Sequence, residues 1–294
     1  MFYFCGQIII AMVETFLNYL HTAPLFSPGI IALLIGIGFF VGFINTIAGM
    51  ATAISYAVFM AMGLPINVAN GTTRLGVFAQ FLVSSAIFKK KGYLDVKVGA
   101  HVGIPVGIGA FVGAELAAIL RPQLIETIMG ILLPIMAILL FVDTSKLGAK
   151  AKSTLGLTNS KQSNVENKIE QPCAKSFTWW KTIAFIIIGI YGGFTHAGVG
   201  LLIMFGSFFM LGLDMLRSNA IKQFAVVIYT PIALMIFIFH GQVNWPIALI
   251  YAIGNIAGGV AGSYASIKGG AKFIKASVAL AIFVMSGWLL YKNL

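Results

Sequence analysis

The sequence predicts an all-α polytopic membrane protein built from two inverted five-segment repeats, and three observations lead to this fold class. First, 59% of the 294 residues are hydrophobic and only 9% are charged, whereas soluble domains carry about a quarter charged residues. Second, apolar runs of membrane-spanning length recur along the chain. Third, glycine and polar positions repeat at a constant spacing. Together these observations predict a chain that folds in a lipid bilayer.

Charged residues and clusters of Gly or Pro divide the chain into ten apolar segments, five in each half. The first repeat, 29–142, contains segments 30–48, 50–63, 73–89, 97–119 and 123–142. The second repeat, 181–294, contains segments 181–197, 199–212, 219–239, 245–266 and 272–290. Before them, 1–28 predicts a peripheral or interfacial helix. Between them, 143–180 is rich in Lys, Ser, Asn and Gln and predicts a solvated connector.

The two repeats align without gaps at an offset of 149 residues, which pairs Gly49 with Gly198 and Asn70 with Asn219. Because each repeat has an odd number of segments, the second copy enters the membrane from the opposite side. With the N-terminus outside, sixteen Lys and Arg residues fall on one side and three fall on the other. The positive-inside rule therefore predicts that both termini lie outside the plasma (inner) membrane and that 143–180 is cytoplasmic.

Two stretches interrupt equivalent apolar runs: N-T-I-A-G-M-A-T-A at 45–53, the first break, and F-T-H-A-G-V-G-L-L at 194–202, the second break. The segment after each break is only about 21 Å long as a helix, against a hydrocarbon core of about 30 Å. We therefore expect each short helix to begin inside the membrane, where its free N–H groups and partial positive charge favour an anion.

Close helix packing is the alternative explanation for glycine in an apolar helix. A spacing of four residues favours packing for two glycine triplets, Gly99, Gly103 and Gly107, and Gly254, Gly258 and Gly262. At the breaks, by contrast, the short following segment favours a binding site, because packing does not explain its length.

Polar residues near the breaks complete a candidate anion site. N-G-T-T-R (70–74) and S-N-A-I-K-Q (218–223) place a cation close to an Asn in each repeat, which suggests cations at the two mouths of an anion path. The alternatives are that Arg74 and Lys222 snorkel at helix ends, and that His196 is a satisfied buried histidine. The candidate substrate-binding residues are Asn45, Thr46, Gly49, Asn70, Thr73, Arg74, Thr195, His196, Gly198, Gly200, Asn219, Lys222 and Gln223.

Other classes of protein find little support in the sequence. It contains no Ser-His-Asp set, zinc motif, phosphate-binding loop or dinucleotide fingerprint, so we expect neither an enzyme nor a cofactor or metal site. Cys5 and Cys173 lie far apart and form no CxxC pair. The excess of 19 Lys and Arg over 8 Asp and Glu indicates topology or attraction of anions, not nucleic-acid binding.

Four motifs resemble the TauE/SafE family of sulfite-exporter-like membrane proteins over roughly residues 28–290. They are N-T-I-A-G (45–49), G-L-P-x-x-V-A-N-G-T-x-R (63–74), Y-G-G-F-x-x-A-G-V-G (191–200) and L-G-L-D-x-x-x-S-N-A-x-K (211–222). The resemblance implies a secondary transporter, usually an exporter, of sulfite, sulfoacetate, other organosulfonates or related small oxyanions. Many relatives continue the first break with glycines. Here Met50 follows, which is expected to narrow this half-site and to favour a ligand with an organic part.

The favoured function is a secondary transporter that moves a small sulfur-containing anion by alternating access of its two repeats. Coupling to protons or to the membrane potential is expected to drive it. Two alternatives stay open: an anion channel, and a membrane scaffold or sensor in which the Lys-rich connector 143–180 is the docking element.

Overall fold

The computed structural model describes Leu20, residues 24–128 and residues 178–293. Within these residues the chain forms helices and no strands. The helices are α1 (Pro28–Ile47), α2 (Thr52–Ala61), α3 (Ile66–Lys90), α4 (Val96–Ile119), α5 (Trp179–Thr195), α6 (Val199–Leu211), α7 (Met215–Phe239) and α8 (Trp245–Asn293), with a further helical stretch at 122–128. Most of the predicted N-terminal helix, of the connector 143–180 and of segment 123–142 lies outside the described residues.

Four of these helices are long and apolar enough to cross a membrane: α1, α4, α7 and the Trp245–Ala271 part of α8. A helix of 20 residues is about 30 Å long, which matches the hydrocarbon core of a bilayer. Large apolar side chains such as Phe40, Ile108 and Ile253 are exposed on their outer faces, as contact with lipid requires. The prediction of an all-α polytopic membrane protein is confirmed.

Local sequence signals account for most helix ends. The Ser27 hydroxyl accepts a hydrogen bond from the N–H of Ile30 at the start of α1, and the Asp95 and Asp214 carboxylates cap α4 and α7 in the same way. The helices α3 and α7 begin at Ile66 and Met215, several residues before the predicted starts at 73 and 219. This correction has a physical reason: the polar residues that suggested loops are buried inside the helices by tertiary contacts.

The described backbone repeats at the spacing of 149 residues. Glycines with positive φ occur in three pairs at this spacing: Gly49 (80°) with Gly198 (78°), Gly63 (88°) with Gly212 (71°), and Gly92 (77°) with Gly241 (67°). These conformations are nearly restricted to glycine. The halves therefore resemble each other in backbone geometry at their turns and breaks as well as in sequence.

Helices of one half pack mainly against helices of the other. The most extensive contacts join α1 to α8 and α4 to α5, followed by α7 to α4 and α3 to α8. Small residues permit these contacts: a Cβ atom on Gly262 would lie 2.8 Å from the Phe43 carbonyl oxygen, and one on Gly99 would lie 2.6 Å from the Phe224 ring. A Cβ atom on any of the six predicted packing glycines would lie 3.1 Å or less from a neighbouring helix, so this prediction is confirmed.

Candidate functional site

The first break separates α1 from α2 and is bridged by the side chain of Asn45. Its Oδ1 accepts a hydrogen bond of 2.7 Å from the N–H of Ala51, and its Nδ2 donates one of 2.9 Å to the hydroxyl of Thr52. An amide at the end of one helix thus caps the start of the next. This arrangement satisfies an N–H group that would otherwise lack an acceptor at the N-terminus of α2.

Lys222 of α7 caps the C-terminal end of α1. Its Nζ donates to the backbone oxygens of Asn45 (3.0 Å) and Thr46 (2.9 Å), and the neighbouring Gln223 Nε2 donates to the Thr46 oxygen at 2.8 Å. The Lys222 side chain is fully buried, and its Nζ lies 5.9 Å from the centre of the Phe81 ring. A cation at this end of a helix is favourable because the last carbonyl groups carry partial negative charge.

The second break separates α5 from α6, and residues of the first half cap the end of α5. Arg74 Nη2 donates to the backbone oxygen of Gly193 and, at 3.1 Å, to Asn70 Oδ1. Asn70 Nδ2 donates to the backbone oxygen of Phe194 at 2.7 Å. The hydroxyl of Tyr56 donates to the backbone oxygen of Thr195 and lies 3.1 Å from Asn70 Oδ1. Each half therefore supplies the cation that caps the broken helix of the other.

The backbones of the two breaks touch each other. A Cβ atom on Gly49 would lie 2.8 Å from the Gly200 carbonyl carbon and from the Leu201 nitrogen. A Cβ atom on the equivalent glycine, Gly198, would make only an ordinary van der Waals contact, with the Tyr191 hydroxyl at 3.8 Å. The breaks therefore share a backbone conformation but not their surroundings.

All thirteen candidate residues lie in the described part of the chain, and twelve are buried, with Gly198 partly exposed. The expectation that Arg74 and Lys222 flank the mouths of a path is wrong, as is the alternative of snorkelling. Both side chains are fully buried, and both extend to the breaks. Their helices begin earlier than predicted, which places these residues well inside α3 and α7 instead of at helix ends. Whether the candidate residues bind a substrate stays a prediction.

Several candidates have structural partners of their own. The Thr46 hydroxyl donates to the Gly42 oxygen at 2.9 Å, and the Thr73 hydroxyl donates to the Asn70 oxygen at 2.8 Å. His196 is buried, and its Nδ1 lies 2.6 Å from the hydroxyl of Tyr229. Its backbone is unusual: with φ at 54°, it is the one non-glycine residue of positive φ within the described ranges. The histidine is thus held at the break by both backbone and ring.

A few buried polar atoms have no hydrogen-bond partner among the described residues. At the second break these are Nε and Nη1 of Arg74 and the hydroxyl of Thr195. At the first break they are Asn219 Nδ2 and Gln223 Oε1. Buried polar groups in folded proteins are nearly always paired, so these atoms call for an explanation, as do eight others elsewhere in the described residues.

Arg74 and Lys222 form no ion pair with a described residue. The ion pairs seen among those residues join Arg217 to Asp214 and His240 to Glu115, all at least partly exposed. The guanidinium of Arg74 instead lies 4.9 Å from the centre of the Phe237 ring. In the same part of the chain, no group of three or more His, Cys, Asp and Glu residues is placed to hold a metal ion.

Sequence reasoning missed the tyrosines around the second break. The hydroxyl of Tyr56 caps α5, that of Tyr229 contacts His196, and that of Tyr191 donates to the Ala197 oxygen at 2.6 Å. A usable signal was present, because a buried tyrosine in an apolar helix generally finds a partner for its hydroxyl.

A cavity of about 380 Å³ opens between the start of α4 and the start of α7. Its lining includes Tyr93, Lys97, Leu213, Arg217 and Ile221. Ile221 precedes Lys222, so the cavity reaches the helix turn that carries the first cap. The candidate residues at the breaks themselves do not line it.

Comparison with known proteins gives the chain a family. The model of the family described as sulfite exporter TauE/SafE matches residues 34–289. The chain is similar to a probable membrane transporter protein, ORF9, from Sinorhizobium, with 27% identity over 263 residues that cover 87% of this chain and 93% of the relative. It is also similar to a probable membrane transporter protein from Haemophilus influenzae, with 24% identity over 265 residues, 89% and 95% of the two chains. No solved structure matches it. The helices, the paired breaks and the match over most of its length lead to one conclusion: this chain is a membrane protein of the sulfite exporter TauE/SafE family.

Proposed function

We propose that the protein is a secondary transporter, in the export direction, of small sulfur-containing anions such as sulfite or organosulfonates. One observation carries the proposal: Arg74 and Lys222 are fully buried at the breaks, and neither forms an ion pair with a carboxylate in the described residues. An uncompensated charge in a protein interior is costly. A bound anion supplies the missing countercharge.

The helix ends at the breaks do not remove this positive charge. The C-terminal ends of α1 and α5 carry about half a negative charge each, and the N-terminal ends of α2 and α6 about half a positive charge each. These four contributions cancel, so the two side chains leave about two positive charges at the centre. That charge suits a monovalent or divalent oxyanion, whose oxygens accept hydrogen bonds from N–H donors.

The arrangement of the halves supports alternating access by inverted repeats. Turns and breaks recur at a spacing of 149 residues, and each broken helix is capped from the other half. A movement of one half against the other therefore changes both caps at once. In this proposal 29–142 and 181–294 are the moving repeats, both termini lie outside the inner membrane, and 143–180 is the cytoplasmic connector.

Flux measurements in liposomes test the proposed function. We expect saturable flux of sulfite or sulfoacetate by the purified protein, and its loss in Gly198→Leu, Arg74→Met and Lys222→Met. Lys90→Met is the matched control, because it removes an exposed cation and should leave flux unchanged. If the folded protein moves neither anion, the proposal is wrong.

The same assay separates the alternatives. An anion channel would give flux that does not saturate with concentration. A scaffold or sensor would give no flux. If transport persists after most of 143–180 is replaced by a short polar linker, the connector is not needed for flux, which counts against a function that depends on docking to it. Imposing a pH gradient or a membrane potential then shows which of the two drives the anion.

A further inference from the structure

We propose that the second break alone contacts the oxyanion, through Arg74 and Thr195, and that the first break is a closed structural joint. This inference rests on the proposed function and specifies its binding site. Its basis is the difference in how the two breaks use their polar groups, although their backbones are alike.

At the first break, the charged side chain and the bridging asparagine use most of their donors on the protein itself. The Lys222 ammonium donates to two backbone oxygens, and Asn45 bridges the break with both side-chain atoms. The atoms left without a partner in the described structure are neutral: Asn219 Nδ2 is one donor, and Gln223 Oε1 is an acceptor that repels an oxyanion. Lys222 thus keeps at most one of its three N–H donors for a ligand, whereas two nitrogens of Arg74 keep all of theirs.

Space at the first break is also filled. Gly49 is in backbone contact with Gly200, and the Met50 side chain is only 5% exposed. Met50 belongs to an apolar cluster that includes Leu201 and Met204 of α6. A ligand at the first break would have to displace this packing, which has the density of a protein core.

The second break keeps unused donors. Arg74 uses Nη2 to cap α5, while its Nε and Nη1 have no acceptor among the described residues, and the Thr195 hydroxyl is likewise without one. Gly198, which precedes α6, has no side chain with which to cap that helix, and a Cβ there would make no contact closer than 3.8 Å. A cationic donor, a hydroxyl and a helix N-terminus thus occur within one short stretch, because Arg74 caps Gly193, and Thr195 and Gly198 follow closely along the chain. This combination of groups is the chemistry that recognises an oxyanion.

The walls of the second break indicate the class of ligand. The ring of Phe237 lies against the Arg74 guanidinium, and the tyrosines Tyr56, Tyr191 and Tyr229 have their hydroxyls engaged with protein atoms there. These aromatic residues therefore lie close to the polar groups of the second break. A compact oxyanion on a small organic group, such as a sulfonate, satisfies the donors and contacts the rings, whereas inorganic sulfite satisfies only the donors.

Binding of sulfoacetate and sulfite to the full chain in detergent, measured by titration calorimetry, tests this inference independently of transport. Arg74→Gln should weaken sulfoacetate binding about tenfold to hundredfold, the usual effect of losing a hydrogen bond to a charged group. Thr195→Val should weaken it about tenfold at most, as expected for a neutral hydrogen bond. Sulfoacetate should bind more tightly than sulfite.

Ser218→Ala is the control, because it removes another buried hydroxyl without a described partner, on the α7 side of the molecule. It should leave both affinities unchanged. Should Arg74→Gln fail to fold, Thr195→Val alone carries the test. If the wild-type protein moves sulfoacetate but Arg74→Gln and Thr195→Val bind it with unchanged affinity, the second break is not the site and the transport function stands. If the wild type neither binds nor moves either anion, the proposed function itself fails.

Discussion

The first and second breaks are copies of one backbone motif with different contents. At the first, an ammonium group lies on two helix carbonyls, an asparagine joins the flanking helices, and a methionine fills the remaining volume. At the second, a guanidinium uses one of its three nitrogens to cap a helix and leaves the other two without a described acceptor. The difference teaches that a glycine break creates only the geometry of a site. In our proposal, the unused donors around it decide whether that geometry binds a ligand or only connects two helices.

The largest effect is a loss of stability, expected when Gly49 is replaced. In Gly49→Ala the new Cβ would lie 2.8 Å from backbone atoms of Gly200 and Leu201, at a φ of 80° that disfavours side chains. Overpacking and backbone strain together should cost about 2 to 5 kcal/mol of stability. Thermal unfolding in detergent, followed by circular dichroism, measures the loss.

Gly198→Ala is the paired control for Gly49→Ala. It has nearly the same φ, 78°, but its Cβ would meet only the Tyr191 hydroxyl at 3.8 Å. Its cost should be limited to backbone strain of about 1 to 2 kcal/mol. Equal unfolding temperatures for the two variants would contradict the view that the first break is the closed one.

The next largest effect is expected from removal of the Lys222 ammonium. Lys222→Met leaves the Asn45 oxygen without a donor, while the Thr46 oxygen keeps Gln223. An unsatisfied buried carbonyl costs about 1 to 3 kcal/mol. Hydrogen exchange should therefore increase at the end of α1 and at the start of α2.

Arg74→Met is the comparison for Lys222→Met. Arg74→Met also leaves one carbonyl, that of Gly193, without its donor, while Asn70 and Tyr56 still cap the neighbouring carbonyls of α5. The two variants should therefore lose similar stability, and only Arg74→Met should lose anion affinity. A lower anion affinity in Lys222→Met than in Arg74→Met would exchange the roles assigned to the two breaks.

The two breaks and their capping residues show which features of this structure can be predicted from the sequence. The breaks at Gly49 and Gly198 are predictable because they are local, repeated and marked by glycine. The capping contacts are not, since Lys222 lies 177 residues from Asn45 and such pairing depends on how the halves pack. For the same reason the sequence places Arg74 at the entrance of an anion path. A run of polar residues suggests the end of a helix, and only the tertiary structure shows that these residues are buried inside one.

The smallest effect, on the rate of anion flux, is expected when Na⁺ is replaced by another cation. In other transporters the carbonyl groups at broken helix ends bind Na⁺. Here the Lys222 ammonium already occupies the carbonyls of α1. Replacing Na⁺ with N-methylglucamine on both sides of the liposome membrane should leave the rate of sulfoacetate flux unchanged. A steep fall in that rate would show that a metal cation binds in addition to the ammonium.

A structure of the protein with a bound sulfonate tests most directly whether the second break, and not the first, contacts the anion. Bromomethanesulfonate is a suitable ligand, because anomalous scattering locates its bromine without ambiguity. We predict that its sulfonate oxygens lie within hydrogen-bond distance of Arg74 Nε or Nη1 and the Thr195 hydroxyl, with bromine against the aromatic walls. A sulfonate bound beside Lys222 instead, with Arg74 still lacking an acceptor, would contradict the assignment.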